Sequence, residues 1–263
     1  MISILETISP AVVELRQYQL RPGRRDELIA LFDREFVETQ EATGVTVLGQ
    51  FRDLDNPDRF VWLRGFADMD ARQRALTAFY EGPVWAAHSD AANATMIDSD
   101  DVLLLRPCHR DARLEHALSC RRDVLDGDGV GIVVATIHTI TRGTEPALCT
   151  FFESTMQPAL EQGGMCLAGS YMTHPGPNNF PRLPIRDADN VFVWFASFLS
   201  DADYAQARSR VQADPVWSNS VGPALREFAD GQPKVVRMRP TSRSLFDGRT
   251  RAVIEHPRVG VEQ

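Results

Sequence analysis

Lysine is nearly missing from this chain of 263 residues; Lys234 is the only one. Schiff-base chemistry would rest on that single amine, just before an expected strand, and is set aside. No apolar run reaches the roughly 18 residues a spanning helix needs, so no membrane span is expected. The opening Met1-Ile2-Ser3-Ile4-Leu5-Glu6 lacks a basic segment, and Glu6 interrupts its apolar stretch, so no signal peptide is expected. Cysteine is scarce and unpatterned: Cys108, Cys120, Cys149 and Cys166 include no C-x-x-C pair. Reduced thiols in a cytoplasmic protein are the simple expectation, rather than a disulfide framework or a zinc site. The net charge of −8, with dispersed arginines, repels phosphate backbones and excludes nucleic acid as the expected partner. A Walker loop, a serine nucleophile elbow, an H-E-x-x-H motif and a kinase signature are all missing. Gly127, Gly129 and Gly131 precede a strand rather than follow one, which is the wrong context for a dinucleotide fingerprint. No metal and no cofactor are expected.

What is present is a repeat. Val61-Trp62 is followed by Pro83-Val84-Trp85, and Val193-Trp194 by Pro215-Val216-Trp217, with the same Trp-to-Trp step of 23 in each. Gly23, Gly44 and Gly49 recur 120 positions later as Gly143, Gly164 and Gly169, and the copies end on Arg106-Pro107 and Arg239-Pro240. The chain therefore divides into a first repeat (1–107), a linker (108–131), a second repeat (132–240) and a C-terminal tail (241–263). Two like halves suggest a core built by burying one against the other.

Within each copy the pattern reads strand, helix, strand, strand, helix, strand. Val12–Leu20 alternates as a strand, and Pro22-Gly23 punctuates it. Leu28, Ile29, Phe32 and Phe36 share one helical face across 24–42. Strands over 45–51 and 60–66 follow, with Val45, Val47, Gly49 and Phe51 expected on one side. Asp68 caps a helix over 69–80, a short helix or turn follows Pro83, and 102–106 closes the unit. The second copy repeats this order, with an inserted Pro-, Asn- and Gly-rich loop, His174–Asp189. The order βαββαβ is the ferredoxin-like motif, whose sheet has helices on one face only and needs cover on the other. The tail after Pro240 has no clear period and is expected to lie over the surface or be disordered.

These residues resemble the NIPSNAP family of the dimeric α/β-barrel superfamily. Glu14-Leu15-Arg16-Gln17-Tyr18 with Pro22-Gly23 resembles its opening strand and turn. Val61-Trp62-Leu63-Arg64-Gly65-Phe66 with Arg72 resembles its third strand and the helix start, and Pro83-Val84-Trp85 its later signature. The second copy keeps Trp194 and Trp217 and departs elsewhere. The resemblance implies an α+β fold: two tandem ferredoxin-like units whose antiparallel sheets pack into a barrel inside one chain. It leaves open whether two such chains pair as a homodimer. It leaves the activity open too, since the superfamily spans cofactor-free oxygenases, cyclases, haem enzymes and proteins with no assigned chemistry.

Alternation puts Glu14, Arg16 and Tyr18 on one side of the first strand, and Phe60, Trp62, Arg64 and Phe66 on one side of the third. If the registers agree, a carboxylate, two guanidiniums, a phenol and aromatic walls meet. Two readings follow: a structural ion pair, or a pocket in which arginine binds an anionic or enolate oxygen while Tyr18 or Glu14 moves a proton. The candidate catalytic residues are Glu14, Arg16, Tyr18, Arg64 and His88. The candidate ligand-binding residues are Trp62, Phe66, Tyr80, Trp85, His138, His174, Trp194 and Trp217, with core packing the main role expected of Trp62 and Trp85. Glu14, Arg16, Tyr18, Arg64 and His88 align with Val134, Thr136, His138, Ala196 and Ser220. Either one half keeps a polar site that the other supports, or these positions drift in solvent, in which case their side chains are exposed. The expected function is binding of a small apolar or aromatic molecule, extended to cofactor-independent oxygenation, cyclisation, dehydration or isomerisation. The alternative is a non-catalytic binding or protein-interaction module.

Overall fold

The computed structural model describes residues 10–109, 114 and 128–248. The first unit runs β1 (Val12–Leu20), a helix built from Arg25–Leu31, Phe32–Phe36 and Val37–Glu41, β2 (Thr46–Asp53) and β3 (Arg59–Phe66). Helices Met69–Tyr80 and Pro83–Thr95, a short β4 (Met96–Asp98) and β5 (Val102–Pro107) complete it. The second unit follows the same plan. It runs β6 (Ile132–Ile140), a helix from Glu145–Phe151 through Phe152–Met156 to Gln157–Gln162, β7 (Cys166–Thr173) and β8 (Val191–Phe198). Helix Asp201–Ala213, the helical turns Trp217–Val221 and Gly222–Leu225, and β9 (Ala229–Pro240) finish it. Local chemistry repeats with the plan. Asp68 accepts the Ala71 N–H at one helix start, and Ser200 accepts the Asp203 N–H at its counterpart, satisfying donors that a helix leaves orphaned. The π-helical turns Phe32–Phe36 and Phe152–Met156 also correspond.

Eight antiparallel strands close a barrel in the order β3-β2-β9-β6-β8-β7-β5-β1, with β1 returning to β3; β4 lies outside the ring, on β1. The two units join edge to edge. Phe51, Arg52 and Asp53 pair with Pro240, Arg239 and Met238, and Leu105, Arg106 and Pro107 pair with Thr173, Met172 and Tyr171. Closure leaves no free edge in the ring.

Pleating sends alternate side chains inward and outward. Val13, Leu15, Val61, Leu63, Val133, Ala135, Val193 and Phe195 fill the barrel. The opposite faces of the same strands meet the helices of their own unit. The expectation that Val45, Val47, Gly49 and Phe51 share one side needs correction. A β-bulge between Val47 and Gly49 shifts the register, so Val47 packs under the helices while Leu48 and Phe51 enter the barrel. Gly49 has no room for a Cβ, which would sit 2.4 Å from the Phe51 ring.

Two further expectations are corrected. The start of the tail does not lie on the surface: Thr241, Ser242, Ser244 and Phe246 are buried, and Phe246 fills the barrel between Phe51 and Phe195. Leu114 of the linker is buried in the same interior and donates its N–H to the Tyr171 hydroxyl. The rest of the tail and of the linker lies outside the described residues. The cysteines are not all reduced thiols either, because Cys108 and Cys149 form a disulfide with Cα atoms 5.8 Å apart. The end of β5 crosses onto the second unit, where the Cys108 N–H bonds to the Ser170 carbonyl, and this brings Cys108 beside the helix that holds Cys149. The bridge removes the thiol argument for a reducing compartment. No helix among the described residues is long and apolar enough to cross a membrane.

Candidate functional site

β1 and β3 pair with Glu14 opposite Arg64, Arg16 opposite Trp62 and Tyr18 opposite Phe60. That register brings the polar side chains together between the sheet and the helices. Glu14 Oε2 accepts from Arg16 Nη1 at 2.6 Å and from Arg64 Nε at 2.8 Å, and its Oε1 accepts from Arg72 Nε at 2.6 Å. Arg16 Nε donates to the Tyr18 hydroxyl at 2.8 Å, and Arg64 Nη1 to Gln40 Oε1 at 3.1 Å. Arg64 lies over the Trp62 and Phe66 rings, and Arg16 over Trp62. Glu14, Arg16, Tyr18 and Arg64 are buried, so the reading in which the non-matching positions drift in solvent fails for these four, whereas His88 is partly exposed and its counterpart Ser220 is exposed.

Burial in this cluster resists the charged form of Glu14, but the charges of Arg64, Arg16 and Arg72 win and hold its carboxyl well below the usual range. Glu14 is thus a fixed anion at neutral pH. Burial pushes the Tyr18 phenol up, against the pull of Arg16. Beside the cluster, Tyr18, Trp62, Phe36, Phe79, Tyr80 and Trp85 enclose a space of only about 30 Å³, room for roughly one or two waters. Trp62 is a core residue, but Trp85 is half-buried at the rim of this space. The aromatic wall thus encloses too little volume for a sizeable ligand. His88 does not join the group: it lies on the outer side, near Glu35 and Phe36.

The matching space in the second half is about ten times larger. Some 310 Å³ lies between the sheet and the helices, lined by Thr136, His138, Trp194, Tyr204, Val211 and Trp217 among others. The strand register is the same, with Val134 opposite Ala196, Thr136 opposite Trp194 and His138 opposite Phe192. Side-chain volume makes the difference. Glu14, Arg16 and Arg64 give way to Val134, Thr136 and Ala196, and Phe79 and Tyr80 to Val211 and Gln212. Trp194 Nε1 donates to His138 Nε2 at 3.3 Å, and the imidazole stacks near Phe192. Burial lowers the His138 pKa to about 4, so the ring is neutral at physiological pH. Trp217, like Trp85, is half-buried at the rim.

His174 is apart from both spaces. It begins the inserted loop, accepts the Gly176 N–H on Nδ1 and faces a separate polar cleft with Arg106, Arg142 and Glu145. Sequence reasoning had quoted Arg72 only as part of the family pattern, and had not placed Gln40, Asn178 or Asn179 near the cluster at all. For Arg72 a signal existed: it lies in the first turn of the helix directly after the strand that holds Arg64, four residues from the Asp68 cap. For the two asparagines none did, because they reach the first half from the second.

Residues 13–109 match the NIPSNAP family model. The polar cluster and the small aromatic space thus lie in the NIPSNAP-like half, whereas the large cavity lies in the other. No curated protein matches the chain. Solved structures extend the likeness over both halves. A candidate monooxygenase from Fusobacterium nucleatum aligns with a TM-score of 0.54 at 8% identity, over 91% of this chain and 96% of that one. Another from Lactobacillus acidophilus gives 0.52 at 12%, over 88% and 94%. A NIPSNAP family protein from Agrobacterium tumefaciens is 24% identical over 36% of this chain and 84% of its own, with a TM-score of 0.34. The two full-length likenesses, at such low identity, establish a shared α/β-barrel fold and not a shared activity.

Proposed function

We propose that this NIPSNAP-like barrel binds a small, largely apolar or aromatic molecule, and that the second-half cavity is the place. The observation that carries the reading is that cavity: 310 Å³ between sheet and helices, mostly apolar, with Thr136 and the His138–Trp194 pair as its buried polar groups and the exposed Arg208, Gln212, Arg226 and Gln232 also on its lining. Size and lining both fit the low end of small-molecule sites. Binding is favoured over turnover. Glu14 is locked as an anion by three guanidiniums, and a histidine held near 4 is a weak base for abstracting a proton.

The test uses the repeat itself. Val211→Phe with Gln212→Tyr installs the side chains that fill the matching space in the first half. Isothermal titration of wild type with 2-naphthol should give one saturable site, and the double variant should lose it while remaining folded. An unchanged isotherm in the variant, or no saturable binding to wild type, refutes the assignment.

A further inference from the structure

The loop from His174 to Asp189 belongs to the second half but lies on the first. Asn178 Oδ1 and Asn179 Oδ1 both accept from Arg72 Nη1, at 3.1 and 2.7 Å. Asn179 Nδ2 donates to the Met69 carbonyl, and Asn178 Nδ2 to the Leu183 carbonyl. The next residue, Phe180, packs into the first-half core, with its ring 6.0 Å from that of Tyr80.

Charge does not balance beneath this loop. Arg16, Arg64 and Arg72 are each at most 1% exposed. Among the described residues Glu14 is the one carboxylate in ion-pair contact with any of them. Three guanidiniums against one carboxylate leave two surplus positive charges where water is excluded, which is costly unless other groups compensate. The remaining acceptors, on Tyr18, Gln40, Asn178 and Asn179, are neutral. Arg72 Nη2 is buried with no hydrogen-bond partner, although Nη1 and Nη2 together form the fork that grips a carboxylate. The asparagine oxygens therefore engage one prong of a two-pronged anion receptor.

We propose that this face is a second binding site, for an aryl carboxylate. The ligand's carboxylate takes the place of the Asn178 and Asn179 oxygens on Arg72, and its ring takes the place of Phe180 against Tyr80. The segment Asn178-Asn179-Phe180 carries both halves of such a ligand, an amide oxygen and a phenyl ring, and occupies the site when the loop is down. Because the ligand must displace the loop, its apparent affinity is reduced by the fraction of molecules in which the loop is down.

Titration of the full chain with 3-phenylpropionate, and with 3-phenylpropanol as the uncharged control, tests this. With the second-half cavity filled by Val211→Phe/Gln212→Tyr, the chain should bind the acid weakly and saturably, in preference to the alcohol, with affinity falling as salt is added. Asn178→Ala/Asn179→Ala/Phe180→Ala should bind the acid at least about tenfold tighter, because the competing groups are gone. Asn178→Ala/Asn179→Ala, which retains Phe180 packing and so guards against loss of folding, should show a smaller gain. Val211→Phe/Gln212→Tyr, which fills the other cavity, should leave acid binding unchanged. Acid binding no tighter in either loop variant, equal binding of acid and alcohol once the second-half cavity is filled, or loss of acid binding in the second-half variant would each overturn the proposal.

Discussion

Glu14→Gln is the sharpest probe of the cluster. The substitution keeps the shape of the side chain and removes its charge, leaving Arg16, Arg64 and Arg72 buried around a neutral amide. Glu14 now accepts from all three at 2.6–2.8 Å. Removing one partner from a buried ion pair costs about 3–5 kcal/mol, chiefly because the opposite charge is stranded. For a chain of this size that corresponds to a fall in Tm of roughly 10 °C, read by calorimetry at pH 7. Charge imbalance, rather than lost shape, is the cause claimed. Adding Arg64→Met, which removes one of the stranded charges, should therefore recover part of the loss, so that the double variant melts above Glu14→Gln alone. A single variant within about 1 kcal/mol of wild type, or a double variant whose losses simply add, refutes the reasoning.

Two more outcomes follow from burial. Burial holds His138 near 4 in the folded protein against 6.5 as its ordinary value, so as pH falls the unfolded chain takes up the proton first. The stability contributed by the neutral ring is whole above 6.5 and drains between 6.5 and about 4, roughly 3 kcal/mol in all. His138→Gln should flatten that slope, changing the difference from wild type by roughly 2 kcal/mol between pH 6.5 and 5, and parallel urea-unfolding curves over that range would count against it. Phe246→Ala should cost about 3–5 kcal/mol in urea denaturation, the usual loss for an aromatic side chain removed from a core, and a loss under about 1 kcal/mol would place Phe246 outside the barrel's essential packing.

Much of the site was legible before any coordinates. Alternation along Val12–Leu20 put Glu14, Arg16 and Tyr18 on one face, because a pleated strand allows nothing else. The repeat supplied the second set of positions and the order of elements. Which face met the helices and which lined the barrel was not legible, because both faces of these strands are largely apolar and both are buried. The bulge at Val47 and Gly49 was missed for a related reason: strict alternation is a rule for unbroken strands, and a single extra residue reverses it. Trp85 sits shallower than the core role expected of it, since recurrence in both copies marks a shared position and not a depth.

The amino-acid order alone determined the elements, their duplication and the residues sharing each strand face, because these follow from local backbone geometry and spacing. Tertiary structure decided what joined across the halves: the Cys108–Cys149 bridge, Phe246 in the barrel, and Asn178 and Asn179 on Arg72. It also decided that equivalent spaces are nearly full in one half and open in the other. Such features depend on the sum of side-chain volumes and charges from segments far apart in the chain, and no local pattern encodes that sum.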